Sequence, residues 1–446
     1  MTSDAGYSEA LRALTERGRF GIHLGLGRTR ALLRELGDPQ LGIRGALVAG
    51  TNGKGSVLAL VGAALRAAGI RAGETPKPHL VTYRERMQIG GRPIDPGAFA
   101  RLATDALAAA DRIPRRHGEP TEFEILTAML FRWFADEHVD LAVVEVGLGG
   151  RLDATHAWDG GVAAITNVDL DHMDRLGSTI VAIAREKAAI IERGDIAVTG
   201  ATGDALGVVR RRAARLGVPL TVVEPASLIG LDRDGLEVEL PRLGPTRIGL
   251  RCRHQAANVA VADAVLDALE AAGIADVPPA ARREGYASVH WPGRLELIDV
   301  GGREVLLDGA HNPAGAATLA TALDDLRPHL QGGPLTLIAA SMADKDVDGI
   351  VAALAGAMAL DDATIIATAL DLPRAMPAAE LAARWRGHGQ SRKVVVEPDA
   401  ERALDRALAE ADGPIVVAGS LYLVGAARAR LVDDPLLRDP VAEAVG

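Results

Sequence analysis

The segment Ala49-Gly50-Thr51-Asn52-Gly53-Lys54-Gly55-Ser56 has the residue types of an anion cradle. It follows a short apolar run and opens a helical one. Small residues let backbone N–H groups wrap an anion, and the helix N-terminus adds a partial positive charge. Lys54 can reach the β- and γ-phosphates of a nucleotide, and the Ser56 hydroxyl can bind Mg²⁺. The spacing departs from G-x-x-x-x-G-K-[ST]: Val48 stands at the first glycine position, and Gly55 separates Lys54 from the hydroxyl.

Four further groups can do chemistry. Glu145 ends the buried run LAVVEV and is placed to hold a metal beside the loop phosphates, because ligands of open parallel sheets sit beyond the strands' carboxyl ends. The glycines after it do not make a dinucleotide fingerprint, since Leu152 stands where the third glycine is needed. Asp169, Asp171, His172 and Asp174 follow the next apolar run. His172 can ligate a metal, and Asp171 and Asp174 can bind polar substrate atoms. Lys187 interrupts an apolar helical stripe made by Ile180, Ile183, Ala184, Ile190 and Ile191. Burial disfavours an ammonium, and a neutral amine can take up CO₂ to give a carbamate; the alternative is a lysine that snorkels out of the stripe. Finally, Asp308-Gly309-Ala310-His311-Asn312-Pro313 follows a strand-like run, with Pro313 suited to the first helical position.

The elements that must position these groups read as α/β. Residues 46–49, 141–146 and 162–168 are expected strands, and 54–68 and 178–193 are expected helices. Around 226–251 the pattern changes to an antiparallel excursion, followed by a helix over 255–271. A second alternation places strands at 304–308, 335–340, 363–368, 393–396 and 414–418. Trp, Pro and Gly near 290–294 mark a boundary, giving units of 1–293 and 294–446. The expected architecture is a P-loop parallel-sheet N-terminal domain and a smaller Rossmann-like C-terminal domain.

Composition narrows the partners. The chain has 446 residues, with 49 Lys and Arg against 59 Asp and Glu, a net charge of −10 and no basic block. That disfavours nucleic acid, which needs concentrated positive charge. The single cysteine, Cys252, excludes an intramolecular disulfide and a cysteine-cluster metal site. No apolar run reaches the roughly 18 residues of a membrane span, and the N-terminus lacks a signal-peptide core. A monomeric cytoplasmic protein without a membrane partner is the expectation.

Taken together, these blocks resemble the folylpolyglutamate synthase and dihydrofolate synthase family, within the Mur ligase superfamily. The resemblance runs through Leu24–Arg28, the loop 49–56, Pro78-His79-Leu80, Tyr83, Glu85-Arg86, Glu145–Thr155, Asp171-His172 and Arg185–Ala188. It continues through His254-Gln255, Asn258, Trp291–Arg294, Asp308–Pro313, Asp344–Asp346, Pro373–Ala375 and Gly419–Tyr422. It implies an ATP-dependent ligase that adds L-glutamate to dihydropteroate or reduced folates through an acyl phosphate, with ATP between two domains. It further implies that Thr51–Ser56, Asn258, Arg294 and Asp308 contact ATP, that Ser56, Glu145 and His172 bind Mg²⁺, and that Lys187 is carbamylated. Glu124, Asp153 and Ala154 help hold the pterin by the same likeness, and Asp174 within HMDRL is similar to bifunctional members. His311 or Asp308 assists the attacking amine.

One departure stands out. The family usually reads Ser-Ser-Pro-His-Leu, with the second serine on a magnesium ion, whereas here the segment is Pro76-Lys77-Pro78-His79-Leu80. A protonated lysine cannot bind the metal. Either the Lys77 ammonium replaces part of a second metal's charge, or it contacts a substrate carboxylate. The rival functions are a Mur-type ligase acting on a cell-wall precursor and a nucleotide-binding switch without turnover.

Overall fold

The computed structural model describes residues 3–18, 23–114, 117–388 and 392–440. The first sheet contains β1 (Gly45–Ala49), β2 (Ala72–Thr75), β3 (Gln88–Ile89), β4 (Arg92–Pro93), β5 (Leu141–Glu145), β6 (Gly161–Ile165), β7 (Ile196–Thr199) and β8 (Leu220–Val222). Their order is β4-β3-β2-β5-β1-β6-β7-β8. From β2 to β8 neighbours are parallel, and β3 and β4 form an antiparallel edge. β1 and β5 are buried at every position, as continuous apolar strands covered on both faces must be. Helices Pro96–Arg112, Glu122–Asp136 and Gly203–Leu216 bury one face, and helices Lys54–Ala67, Gln255–Ala271 and Pro279–Ser288 bury the other.

The antiparallel excursion is a small sheet of β9 (Ser227–Asp232), β10 (Gly235–Leu240) and β11 (Gly244–Ile248) in the order β11-β10-β9. Alternate residues Leu236, Val238 and Leu240 point into the second of those cores. The second main sheet holds β12 (Glu296–Val300), β13 (Arg303–Leu307), β14 (Thr336–Ala339), β15 (Thr364–Ala369), β16 (Lys393–Asp399) and β17 (Ile415–Ala418). Its order is β12-β13-β17-β14-β15-β16, parallel except for β12, with helices on both faces. The two-lobed α/β architecture agrees with the expectation from sequence.

Two element limits differ from the sequence pattern. The apolar run to Val168 leaves the ladder after Ile165, because Thr166 and Asn167 turn to hold the loop after β1. The helix expected over 178–193 spans Ile180–Ala188, capped by the Thr179 side chain; Ile190 and Ile191 lie past its end yet remain buried. No helix among the described residues is long and apolar enough to cross a membrane.

Two features fix the lobes. The linker is pinned by Glu296, which accepts the Gly293 N–H (2.8 Å) and pairs with Arg428, both side chains being 4% exposed. At the far end of the chain, Asp439 returns to the first lobe. It accepts hydrogen bonds from Tyr7 Oη (3.0 Å), Thr82 Oγ1 (2.6 Å) and Arg84 Nε (3.0 Å). Arg84 Nη2 also donates to the carbonyls of Leu436 and Arg438.

The helix that opens at Lys54 is itself held by close backbone contact. A Cβ on Gly285 would lie 2.5 Å from the Cα and N of Ala64, so helix Pro279–Ser288 can approach only with glycine there. Gly285→Val is expected to cost about 3 kcal/mol of stability through overpacking. Urea unfolding checks this, and an unchanged midpoint and slope would contradict it.

Candidate active site

β1 lies between β5 and β6, strands reached by connections that leave in opposite directions, and ligand crevices open at such switch points beyond the carboxyl ends. There the two lobes enclose a cavity of about 1060 Å³. Its wall includes Thr51, Asn52, Gly53, Lys54, Gly55, Ser56, Lys77, Glu124, Glu145, Asp153, Ala154, His172, Asn258, Arg294, Asp308 and His311. Residues far apart in sequence thus meet in one place, as expected.

The loop 50–56 is held in part by the residues just after β6. Asn167 Oδ1 accepts the N–H groups of Thr51 (3.2 Å) and Asn52 (2.9 Å), and Thr166 Oγ1 donates to the Asn52 carbonyl (2.6 Å). The amides of Thr51 and Asn52 are therefore committed to the scaffold. Helix Lys54–Ala67 has no side-chain cap at its start, so its first-turn N–H groups are the ones presented for an anion. Gly53 has φ 79°, and a Cβ there would lie 2.2 Å from Asn258 Oδ1; glycine lets helix Gln255–Ala271 close over the loop.

Two lysines converge on one carbonyl. Lys54 Nζ donates to Gly50 O and Thr51 O at 3.1 Å each, and Lys187 Nζ donates to Gly50 O at 2.7 Å. Lys187 is 4% exposed, which excludes snorkelling. Burial, and then the nearby Lys54 charge, pull its pKa down to about 7, against the opposing pull of Asp171 and Asp153.

Glu145 is buried at the end of β5. Burial raises its pKa, while Lys54, Lys77 and Arg294 oppose the rise. His172 sits at φ 49° on the adjacent loop, and burial lowers its pKa. Among the described residues no three His, Cys, Asp or Glu side chains form a metal cage. A carboxylate, a hydroxyl and an imidazole around a phosphate cradle nevertheless fit Mg²⁺, which takes few protein ligands and completes its shell with phosphate oxygens and water.

The second lobe contributes the segment after β13. Asp308 accepts the N–H groups of Leu295 (3.0 Å) and Ala310 (2.9 Å), tying the linker to that segment; burial raises its pKa against the pull of Arg294. His311 Nδ1 lies 2.8 Å from the Gly309 carbonyl and must donate to it, which leaves the Nε2 lone pair free. Burial lowers the His311 pKa against the pull of the Gly309 carbonyl, which favours the neutral ring. Helix Pro313–Leu326 starts at the expected Pro313 and is capped by the Asn312 side chain. His254 is also in the wall: burial drops its pKa to about 4, and its Nδ1 has no partner among the described residues. Lys345, in the Asp344–Asp346 block of the second lobe, acts electrostatically on His311 of its own lobe and on His172 of the other.

At the opposite end, Glu124 and Asp153 line the cavity with their carboxylates already engaged. Glu124 closes a capping box with Thr121 and pairs with Arg28 (2.9 Å). Asp153 accepts from Leu148 N (2.8 Å), Thr155 N (3.0 Å) and Thr155 Oγ1 (2.6 Å). Lys77 Nζ donates to the Glu145 carbonyl (2.8 Å), and its backbone N–H donates to Glu145 Oε2 (2.9 Å). Burial pulls the Lys77 pKa down to about 8. Asp174 is the exception among the expected groups. It lies in the first turn of helix Met173–Leu176, is 73% exposed beside Arg175 and does not line the cavity, whereas Asp171 does.

Comparison with known proteins agrees with this arrangement. A model of the Mur ligase middle domain matches residues 48–266, and one of the Mur ligase glutamate ligase domain matches residues 293–421. The dihydrofolate synthase/folylpolyglutamate synthase of Bacillus subtilis is 33% identical over 95% of this chain and 99% of its own length. A probable bifunctional folylpolyglutamate synthase/dihydropteroate synthase of Haloferax volcanii is 35% identical over 95% of this chain, which spans 50% of that relative. Among solved structures, Mycobacterium tuberculosis folylpolyglutamate synthase complexed with ADP and AMPPCP superposes with a TM-score of 0.84 at 33% identity, covering 97% of this chain and all of that one. The chain belongs to the folylpolyglutamate synthase/dihydrofolate synthase family of Mur-type ligases.

Proposed function

We propose that the protein is an ATP-dependent ligase that joins L-glutamate to the carboxylate of dihydropteroate, of reduced folates, or of both, releasing ADP and phosphate. The observation that carries this reading is the single cavity that joins the phosphate loop of the first lobe to Arg294, Asp308 and His311 of the second. Its volume of about 1060 Å³ stands at the top of the roughly 300–1,000 Å³ range of small-molecule sites, and its wall runs from the phosphate loop to Glu124 and Asp153, room for a nucleotide at one end and an acceptor at the other. Residues 1–293 and 294–446 are read as the two functional units, although the chain's extreme ends lie outside the described residues. We read the protein as a cytoplasmic monomer whose partners are small molecules, without nucleic acid or membrane; the net charge of −10 with no basic block weighs against nucleic acid.

A carboxylate is a poor acyl donor. The acceptor oxygen first bonds to the γ-phosphorus while ADP leaves with the bridging electron pair. The glutamate amine then attacks the acyl carbon, and phosphate departs. Lys54 and the first-turn amides of its helix stabilise charge on the transferring group. Asn258, Arg294 and Asp308 set the nucleotide against the second lobe. Ser56, Glu145 and His172 would hold Mg²⁺, which supplies further neutralisation of phosphate charge. His311 Nε2 takes the proton that the attacking amine must lose. Glu124, Asp153 and Ala154 shape the acceptor end, and closure of the lobes keeps water from the acyl phosphate.

ADP release measured with ATP, Mg²⁺ and glutamate tests this. Release is expected to need both glutamate and either dihydropteroate or a reduced folate. Glutamate-dependent release with neither acceptor would remove the folate reading in favour of another Mur-type substrate. Nucleotide binding with no turnover under any condition would point to a switch.

A further inference from the structure

Lys77 has a placement that the reaction outlined above does not yet use. It follows β2, whose parallel neighbour β5 ends in Glu145, and β1 with the phosphate loop lies beyond β5. Lys77 therefore stands on the far side of Glu145 from the phosphate loop, beside Phe123 and Asp153 at the acceptor end of the cavity.

The direction of its side chain separates two possible roles. Nζ lies 4.8 Å from the Phe123 ring centroid and donates to the Glu145 main-chain carbonyl, not to the Glu145 carboxylate. An ammonium has three N–H donors, and Nζ makes no other hydrogen bond among the described residues. Asp153 is electrostatically felt, yet both of its oxygens are held by Leu148 and Thr155. The nearby cations are committed elsewhere: Lys54 to the loop carbonyls and Arg86 to His79. A desolvated ammonium with two unfilled donors, on the wall where an acceptor must enter, is matched to an anionic oxygen.

We propose that Lys77 binds the reacting carboxylate of the acceptor and stays on its carbonyl oxygen as the acyl phosphate forms. The proposal rests on the ligase reading. Two anions, carboxylate and γ-phosphate, must come together for the first step, and a cation on the carboxylate's side offsets their repulsion. One carboxylate oxygen bonds to the γ-phosphorus as the bond from that phosphorus to the β,γ-bridging oxygen breaks, and the electron pair leaves with ADP. Lys77 keeps its proton throughout. In this placement the ammonium serves the acceptor and is not a substitute for a magnesium ion between Glu145 and the phosphates.

The test compares wild type with Lys77→Met, Lys77→Gln and Lys77→Arg. The measurements are KM for dihydropteroate, ATP and glutamate, and positional isotope exchange from the β,γ-bridge of ATP with dihydropteroate but no glutamate. Mn²⁺ bound to the AMPPCP complex is counted by electron paramagnetic resonance. Lys77→Met and Lys77→Gln should raise the dihydropteroate KM about 10- to 100-fold and slow the exchange in step. Nucleotide affinity and the Mn²⁺ count should stay as in wild type, and Lys77→Arg should recover part of the loss. An unchanged dihydropteroate KM in whichever neutral variant still binds nucleotide overturns the proposal. So does an extra Mn²⁺ in the neutral variants, which would make Lys77 a metal substitute. A wild type without acceptor-dependent ADP release defeats the ligase reading itself, whereas an active wild type with unaffected variants defeats only the role of Lys77.

Discussion

Lys54→Ala should lower kcat about 1,000-fold while the protein remains folded. The ammonium is tethered by two loop carbonyls at 3.1 Å, at the uncapped helix start that faces the cavity. A cation preorganised against a transferring phosphoryl group supplies stabilisation that water cannot replace, and single cationic groups in such sites are worth about 10³–10⁵ in rate. The substitution has a second effect. Lys54 is a principal charge holding the Lys187 pKa down, so its removal should move that pKa back up. A Lys54→Ala enzyme should therefore also take up less CO₂ label at neutral pH. Steady-state ADP release and labelled bicarbonate incorporation measure the two effects separately. Turnover within about fivefold of wild type would show that Lys54 does not face the transferring phosphate.

Lys187→Met is the second large effect, with an expected loss of about 100- to 1,000-fold in kcat by comparison with other buried electrostatic groups. With a pKa of about 7, much of the amine is neutral at physiological pH. Addition of CO₂, as the family likeness implies, would turn it into a carbamate with release of one proton. Below pH 7 the amine protonates, so carbamate and activity should fall together as pH drops through that range, and removal of CO₂ should mimic the fall. Stability should change little. Methionine matches the side-chain length, and the Gly50 carbonyl keeps its bond from Lys54. A desolvated ammonium is also costly, so its removal offsets the lost hydrogen bond. A carbon-13 carbamate resonance in bicarbonate-equilibrated wild type, absent from the variant, links the loss to the modification. Full activity of Lys187→Met would refute this role.

The site was legible in the sequence where local rules determine position. Gly50–Ser56 read as a glycine-rich turn feeding a helix, Glu145 ended an apolar strand, and Pro313 read as a first helical residue. Lys187 was visible as a charge in an apolar stripe, although periodicity alone could not choose between burial and snorkelling; the bond to Gly50 O, 137 residues away, makes that choice. The supports of the loop were not legible. Thr166 and Asn167 fell inside the expected strand over 162–168, and only β1–β6 pairing shows them turned toward the loop. Asp171 and Asp174 looked equivalent, and a single helical turn sends one to the cavity and the other to solvent. The extended 178–193 pattern shows the same limit, since Ile190 and Ile191 are buried by tertiary contact beyond the helix that the periodicity implied. Glu124 and Asp153 carry capping duties that their position beside Thr121 and Thr155 foreshadows.

The return of Asp439 to Tyr7, Thr82 and Arg84 bears on how the lobes are joined. The tie is one of several between the lobes: Arg233 pairs with Glu304, Arg253 with Asp325, and Leu80 packs on the core beneath β13 and β17. What sets the 439 tie apart is its place, since it fastens the tail of the second lobe to Thr82 and Arg84, just past Lys77 and His79. The wall segment after β2 is thus anchored by the last described residues of the chain, so a change at Asp439 reaches the cavity without touching it.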